Sequence, residues 1–310
     1  MSAKGRPERE PSPSGGRRAA PEGAPVHAKG RPEREPSPSG GRRAAPEGKR
    51  LSKPLHVETV GQGPPLVLLH GWALHSGLWG PLVPKLARRF RVHAVDLPGH
   101  GHSRAVDPYT LDAVTRAVAD AMRGEDAPLT VLGWSLGGIV AMHWALAEPQ
   151  RVARLVLVCT TPRFAAGADW PHAMAAETLA RFADELRVAY RPTLQRFLSL
   201  QVQGSEHGRA ALAAMRHELF ARGEPAPVVL GQALEVLRST DLRGRVPALT
   251  QPTLVVAGER DALTPVAASA WLAEVLLNAR HVPIAGAGHA PFLSHPDAFN
   301  AALDRFFDGG

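Results

Sequence analysis

Short apolar runs, each bounded by turn-forming residues, recur along the chain from about residue 51. The first follows Pro65 and covers Leu66–Leu69. Runs this short and continuous are typical of strands whose two faces are both buried. We therefore predict strands at 65–69, 92–95, 129–132, 155–158, 253–257 and around 281–284.

Stretches with helical periodicity lie between these runs. In 111–123, for example, Leu111, Val114, Val118 and Met122 share one face, and 138–147 and 266–277 are similar. Apolar strands that alternate with amphipathic helices predict an α/β fold, a mostly parallel sheet with helices on both faces. We assign residues 51–161 and 241–310 to this core.

The alternation stops between residues 162 and 240. This stretch has no convincing strand, but it has helical segments at 175–186, 193–202 and 208–221. It is predicted to be a helical insertion that covers the catalytic edge of the sheet as a lid.

Residues 1–50 are of a different character. The 21 residues from Ala3 to Gly23 are repeated without change from Ala28 to Gly48, and they are rich in Pro, Gly, Ser, Arg and Glu. Such a tail cannot bury enough apolar surface to order itself, so we expect disorder. Three interpretations of the tail stay open: a duplication without function, a weak electrostatic tether, or an artefact of the assigned start.

The net charge of +7 comes mainly from this tail, with 12 Lys/Arg and 6 Glu in residues 1–50. The other 260 residues carry 24 basic and 23 acidic side chains of the chain totals of 36 and 29. We therefore expect no nucleic-acid partner.

No apolar run reaches about 18 residues, which argues against a membrane span. The lone Cys159 is interpreted as a core thiol, and it suits a reducing cytoplasm. A cytoplasmic monomer is expected.

The strongest chemical motif is Gly133-Trp134-Ser135-Leu136-Gly137, between the predicted strand 129–132 and a helix expected near Gly138. A serine on such a tight strand-to-helix turn is held in a strained conformation that exposes its hydroxyl. We predict that Ser135 is a nucleophile. The N–H of Leu136 would then stabilise the oxyanion.

A second motif, His70-Gly71-Trp72, follows the first predicted strand. The loop at this point supplies the other oxyanion donor in such folds, so we assign that donor to the Trp72 N–H. The Trp72 ring lines the acyl pocket or is a plain core residue. His70 lies too early in the chain for the catalytic base and is interpreted as structural.

Two later motifs supply the acid and the base. Asp261 follows the predicted strand 253–257, and His289 lies in a loop of small residues after the last strand. The order Ser135, Asp261, His289 suits a serine hydrolase, in which a carboxylate orients the base. Glu259 is the alternative acid. Asp96 precedes the serine and is expected to brace a turn.

These motifs resemble the α/β-hydrolase superfamily over residues 51–310. More narrowly, the chain resembles the pimeloyl-[acyl-carrier protein] methyl ester esterases of biotin synthesis. That resemblance rests on His70-Gly71-Trp72, Gly133–Gly138, the segment Arg196–Gln201 in the insertion, and His289-Ala290-Pro291-Phe292 with Ser294-His295-Pro296.

The resemblance implies hydrolysis of the methyl ester of pimeloyl-carrier protein without a cofactor or a metal. It implies substrate contacts from nine residues: Trp72, Ser135, Leu136, Phe197, Leu198, Ser199, Leu200, Gln201 and His289. The stretch from Arg187 to Arg222 has six Arg and two Glu. This charge suggests that Arg196, Arg209 and Arg216 contact an acidic carrier protein, although a solvated helix face gives the same pattern.

Three alternatives stay open at this point. A general short-chain carboxylesterase or a carbon–carbon bond hydrolase would use the same three catalytic residues without a basic lid. A scaffold that only binds a ligand would need no complete triad. A nucleic-acid role would depend on the tail.

Overall fold

A computed structural model describes residues 55–309, and the fold below refers to these residues. The tail of residues 1–50, which is predicted to be disordered, lies outside the described residues, and so do the three interpretations of it. The predicted start of the core at residue 51 also falls outside.

The core is one seven-stranded sheet with the strand order β1-β3-β2-β4-β5-β6-β7. The strands are β1 Val57–Val60, β2 Pro65–Leu69, β3 Arg91–Val95, β4 Leu129–Trp134, β5 Val152–Val158, β6 Thr253–Gly258 and β7 Ala279–Ile284. Only β1 runs antiparallel to its neighbour, and every other pair is parallel. The carboxyl ends of six strands therefore share one edge, where open α/β sheets place their sites.

Ten α-helices connect and cover these strands within residues 55–309. They are α1 Leu82–Leu86, α2 Leu111–Ala121, α3 Leu136–Ala147, α4 Ala176–Val188, α5 Tyr190–Gln201, α6 Gly208–Glu218, α7 Pro227–Ser239, α8 Val266–Val275, α9 Pro291–Ser294 and α10 Pro296–Phe307. In this described range, none of the helices has the length and apolar character needed to cross a bilayer.

All six strands predicted from apolar runs are present, and the predicted α/β fold class is confirmed. The predicted start of α3 is wrong by two residues, because the helix begins at Leu136, directly after Ser135. The sequence did not predict β1, which pairs antiparallel at the sheet edge and has three exposed residues. Alternation at an edge strand gives no continuous apolar run.

Four helices, α4 to α7, lie between β5 and β6, where the insertion is predicted. Their buried side chains, such as Leu194, Leu198 and Met215, belong to the same apolar cluster as the strands. The interpretation of this insertion as a lid, and its exact limits at 162 and 240, stay predictions.

The elbow between β4 and α3 depends on glycines that allow close approach. A Cβ on Gly137 would lie 2.2 Å from the carbonyl oxygen of Leu69, and one on Gly133 would lie 2.3 Å from the carbonyl oxygen of Gly137. Neither oxygen belongs to a flexible side chain. The helix can therefore pack this closely on the strands only if these positions carry no side chain.

We predict that Gly137→Ala destabilises the fold by about 3 kcal/mol, because the added methyl overpacks a rigid backbone contact. For a domain of this size that lowers the thermal midpoint by about 5–10 °C. Gly124→Ala is the matched control, since a Cβ there meets nothing within 4 Å. Thermal unfolding followed by circular dichroism measures both variants. Equal midpoints for the two would contradict the prediction.

Candidate active site

Ser135 lies between β4 and α3 with φ 55° and ψ −118°. This is the left-handed region that side chains other than glycine rarely adopt, so the backbone is strained at the predicted nucleophile. Its carbonyl accepts a hydrogen bond from the hydroxyl of Thr160 at 2.8 Å, and its own N–H donates to Val158. These bonds fix the strained turn. Only 4% of Ser135 is exposed, so the nucleophile is almost inaccessible to solvent.

The neighbouring residue, Trp134, ties this turn to the loop of His289. The indole N–H of Trp134 donates to the carbonyl oxygen of His289 at 2.8 Å, and the two rings lie 5.6 Å apart between centroids. Both residues are buried. Residues that are 155 positions apart in the chain are therefore held side by side. The structure thus brings the predicted nucleophile and the predicted base to the same edge of the sheet.

Asp261 and His289 form a buried pair. Nδ1 of His289 lies 2.8 Å from Oδ2 of Asp261, and both side chains are essentially inaccessible to solvent. Burial alone raises the pKa of Asp261, but the charge and hydrogen bond of His289, together with bonds from Thr264, leave that pKa below its usual value. An ionised Asp261 accepts from a protonated Nδ1, and in that tautomer of the neutral imidazole Nε2 is the nitrogen that can act as a base.

The carboxylates of Glu259 and Asp96 bond to groups other than His289. Oε2 of Glu259 accepts from the backbone N–H of Gly286 at 3.1 Å. Asp96 accepts from the backbone N–H groups of Ser76 and His102, and it pairs with Arg222. Asp96 therefore braces loops, as expected, and Asp261 is the carboxylate that contacts the histidine.

The two predicted oxyanion donors are backbone N–H groups without an acceptor among residues 55–309. Leu136 is the first residue of α3, where a helix leaves its N–H groups unpaired. The Trp72 N–H belongs to the Gly71–Trp72 peptide, and Gly71 lies against Ser135: a Cβ on Gly71 would be 3.2 Å from Cβ of Ser135. Their assignment to an oxyanion hole stays a prediction.

His70 fixes the direction of that peptide. Its Nε2 accepts from the N–H of Leu97 at 2.9 Å, so the ring proton is on Nδ1, which donates to the carbonyl oxygen of Gly71 at 2.8 Å. Burial lowers the pKa of His70 to about 3, so the ring is neutral. In a trans peptide the carbonyl and the N–H point in opposite directions. His70 therefore orients the Trp72 N–H.

The insertion contacts the site through two of its predicted substrate residues. The ring of Phe197 packs edge-to-face on Trp72 at 4.7 Å, while the Trp72 indole N–H donates to the carbonyl of Leu230 in α7. The carbonyl of Gln201 accepts from the backbone N–H of His289 at 2.8 Å. The Gln201 side chain is buried, and its amide has no hydrogen-bond partner within the described part of the chain. Such an amide is available to a substrate or a water molecule.

The structure gives the other predicted contacts less support. Leu198 is fully buried in the core cluster, Leu200 is half-buried, and the hydroxyl of Ser199 donates to Gln195 on its own helix. Arg196 is ion-paired with Glu185 and lies 5.0 Å over the ring of Phe182. A substrate or carrier role for these residues stays a prediction.

One cluster of potential metal ligands involves the same site. Ligand atoms of Cys159, Asp261 and His289 lie within 4.8 Å of one another. Burial and the nearby Asp261 raise the pKa of the Cys159 thiol well above its usual value. A protonated thiol is a poor metal ligand, so the cluster fits a carboxylate–histidine pair beside a neutral core thiol. The expectation of no metal stays a prediction.

The family model described as alpha/beta hydrolase fold matches residues 64–296. This chain belongs to the α/β-hydrolase family. The predicted superfamily is confirmed.

Curated relatives cover most of the chain. It is 48% identical over 252 residues to a pimeloyl-[acyl-carrier protein] methyl ester esterase of Xanthomonas axonopodis pv. citri, which spans 81% of this chain and 98% of that protein. A protein of the same name from Nitrosomonas europaea is 46% identical over 250 residues, with the same coverage. The narrower resemblance is therefore confirmed.

Solved structures agree on the fold. An esterase from Exiguobacterium antarcticum superposes with a TM-score of 0.76 at 23% identity, over 82% of this chain and 95% of that one. A hydrolase from Pseudomonas aeruginosa has a TM-score of 0.70 at 29% identity, over 81% and 93%.

Sequence reasoning missed two supports of the site. The first is Thr264, whose hydroxyl donates to Oδ2 of Asp261 at 2.6 Å. The second is the carbonyl of Gln201 beneath the His289 backbone. A partial signal existed, because an Asp side chain in a turn commonly accepts from backbone N–H groups a few residues further on, as in an Asx turn. No local pattern indicated Gln201.

We predict that His70→Leu lowers kcat/KM for a p-nitrophenyl ester by about 10²-fold, because the Trp72 N–H is no longer held toward the oxyanion. His100→Leu is the matched control, since His100 is equally buried and lies 5.3 Å from His70 between ring centroids. His100 bonds to Pro98 and not to the Gly71–Trp72 peptide. Steady-state kinetics and thermal midpoints are measured for both. A similar loss of activity in the control would argue against the assigned role of His70.

Proposed function

We propose that this chain is a serine carboxylesterase that hydrolyses the methyl ester of pimeloyl-[acyl-carrier protein] in biotin synthesis. The observation that carries the chemistry is the buried 2.8 Å contact of Asp261 with His289, tied through Trp134 to the strained turn of Ser135. Support for the substrate comes from relatives of that name at 46–48% identity.

In this proposal His289 takes the proton of Ser135 at Nε2 while the serine oxygen attacks the ester carbonyl. The N–H groups of Trp72 and Leu136 hold the negative oxygen of the tetrahedral intermediate. Asp261 stabilises the imidazolium through Nδ1. Methanol leaves with the proton from His289. Water, activated by the same histidine, then hydrolyses the acyl-enzyme to the free acid and Ser135.

The amide of Gln201 and the rings of Trp72 and Phe197 supply the proposed acyl pocket. A mostly apolar wall with one polar group suits an aliphatic chain that carries an ester at its end. No cofactor takes part in the proposed reaction. Because Ser135 is almost inaccessible to solvent, we expect the predicted lid to move when the substrate enters.

We expect the carrier to contact α6 rather than α5. Arg209 and Arg216 are exposed and have no ion-pair partner among residues 55–309, whereas Arg196 is already paired with Glu185. Unpaired cations attract an acidic protein more strongly than neutralised ones. Arg209 and Arg216 are seven positions apart, which places them on one face of the helix.

We predict that a fluorophosphonate labels Ser135 and abolishes turnover, and that Ser135→Ala lowers kcat by several orders of magnitude while it leaves the fold intact. Mass spectrometry of the tryptic peptide locates the adduct. Ser103→Ala is the control for loss of a buried serine, since Ser103 bonds to Asp96 and His56 and lies outside the proposed catalytic groups. An adduct elsewhere, or full activity in Ser135→Ala, would remove the serine mechanism.

We predict that the double substitution Arg209→Glu and Arg216→Glu raises KM for the carrier-bound methyl ester about tenfold at low salt, because electrostatic steering is lost. The value of kcat/KM for p-nitrophenyl acetate should stay unchanged. Added salt should reduce the difference between the variant and the wild type.

The matched control reverses Arg154 and Arg280, which are exposed near the amino ends of β5 and β7, at the opposite edge of the sheet. It changes the net charge equally. Equal effects of both pairs would show that net charge alone matters. Efficient turnover of p-nitrophenyl esters without turnover of the carrier-bound ester would favour the general carboxylesterase.

A further inference from the structure

Thr264 lies three residues after Asp261, in the connection between β6 and α8, and it is buried. Oδ1 of Asp261 accepts from the N–H groups of Leu263 at 2.8 Å and Thr264 at 3.0 Å. Oδ2 accepts from the Thr264 hydroxyl at 2.6 Å and from Nδ1 of His289 at 2.8 Å. Four donors therefore surround one buried carboxylate.

The direction of each proton in this cluster is determined by the chemistry of its members. An ionised carboxylate only accepts, so the single hydroxyl proton of Thr264 points to Oδ2. Nδ1 of His289 must carry a proton to donate to the same oxygen. The hydroxyl oxygen lies 3.4 Å from Nδ1, so it presents a lone pair toward that N–H. Thr264 thus contacts both members of the pair.

We propose that Thr264 is a positioning residue of the esterase reaction: its hydroxyl holds Oδ2 of Asp261 under the imidazole and sets the pH range in which His289 acts as the base. This role rests on the proposed function, because it assigns work to the same Asp261–His289 pair. The hydroxyl does not contact the reacting atoms. It acts through the carboxylate.

The other ionisable groups near the Asp261–His289 pair are neutral or bond to other residues. Cys159, at the end of β5, faces Asp261 with a neutral thiol. On the turn that carries Asp261, Glu259 bonds to the N–H of Gly286, and Arg260 pairs with Glu206 of the insertion. The Thr264 hydroxyl shares Oδ2 with the histidine at 2.6 Å, and the neutral Cys159 thiol lies beside the same carboxylate.

Loss of the Thr264 hydroxyl should shift protonation of the Asp261–His289 pair in one direction, to higher pH. An Asp261 carboxylate with one donor fewer binds a proton more readily, and it also attracts the His289 imidazolium more strongly. Both effects raise the pH below which the pair is protonated and inactive. The acidic limb of the pH dependence of kcat/KM, which reports the free enzyme, therefore moves to higher pH.

The test uses Thr264→Val, which has nearly the same shape but no hydroxyl, in the full chain with p-nitrophenyl acetate as substrate. Loss of a hydrogen bond to a charged group should lower plateau kcat/KM by about tenfold and move the acidic limb up by about 0.5–1 pH unit. Thr264→Ser should restore the wild-type limb, because it keeps the hydroxyl. Thr253→Val is the matched control, since Thr253 is a buried threonine at the start of β6 whose hydroxyl bonds to Gln251.

Overlapping pH profiles for Thr264→Val and the wild type would overturn the proposal. So would an equal change in Thr264→Ser, because the effect would then come from the methyl group. If Thr264→Val does not fold, Thr264→Ala compared with Thr264→Ser gives the same test. Failure of the esterase reaction itself is distinguished by the wild type, which would then hydrolyse the ester no faster than Ser135→Ala.

Discussion

The hydrogen bond from the Trp134 indole to the carbonyl of His289 is the contact on which the site depends. It joins the strained turn after β4 to the loop after β7 across the strands that lie between them. Both groups are buried, so the bond does not compete with water. The Trp134 ring also packs on the rings of His289 and Phe292, so the bond and this packing together hold the nucleophile turn beside the base.

The insertion is hydrogen-bonded to the loops that carry the site residues. Its α5–α6 connection bonds to the loops of both the base and the acid: Gln201 accepts from His289, the N–H of Glu206 donates to Gly286, and Arg260 donates to Gly204. At its other end, Arg222 pairs with Asp96 and Glu58 of the core. Between these attachments lies α6, which carries the exposed Arg209 and Arg216.

Much of the fold could be predicted from the sequence, because strands buried on both faces give continuous apolar runs. The elbow was also predictable, because the glycines beside Ser135 lie where backbone atoms approach closely and leave no room for a side chain. The edge strand β1 was not predicted, because its alternating residues give no continuous apolar run. The start of α3 was not predicted either, because the helix begins directly at the turn of Ser135. Asp261 could be preferred over Glu259 only by position, and the geometry agrees with that preference.

The supports of the site were harder to predict than its principal residues. His70 was interpreted as structural, but its effect on the Gly71–Trp72 peptide depends on Leu97, which lies 27 residues further along the chain. The bonds of the Thr264 hydroxyl to Asp261 and of the Gln201 carbonyl to His289 could not be predicted, because they form only in the folded geometry. The predicted carrier contact of Arg196 did not account for Glu185 in the neighbouring helix α4. Glu185 already pairs with Arg196.

A crystal structure of the enzyme with a phosphonate ester on Ser135 tests the arrangement most directly. We predict that Nε2 of His289 lies within hydrogen-bond distance of the serine oxygen, and that the N–H groups of Trp72 and Leu136 point at the phosphonyl oxygen. An imidazole turned away from the adduct, with the Trp134 bond to His289 intact, would contradict the claim that this bond brings the base to the nucleophile.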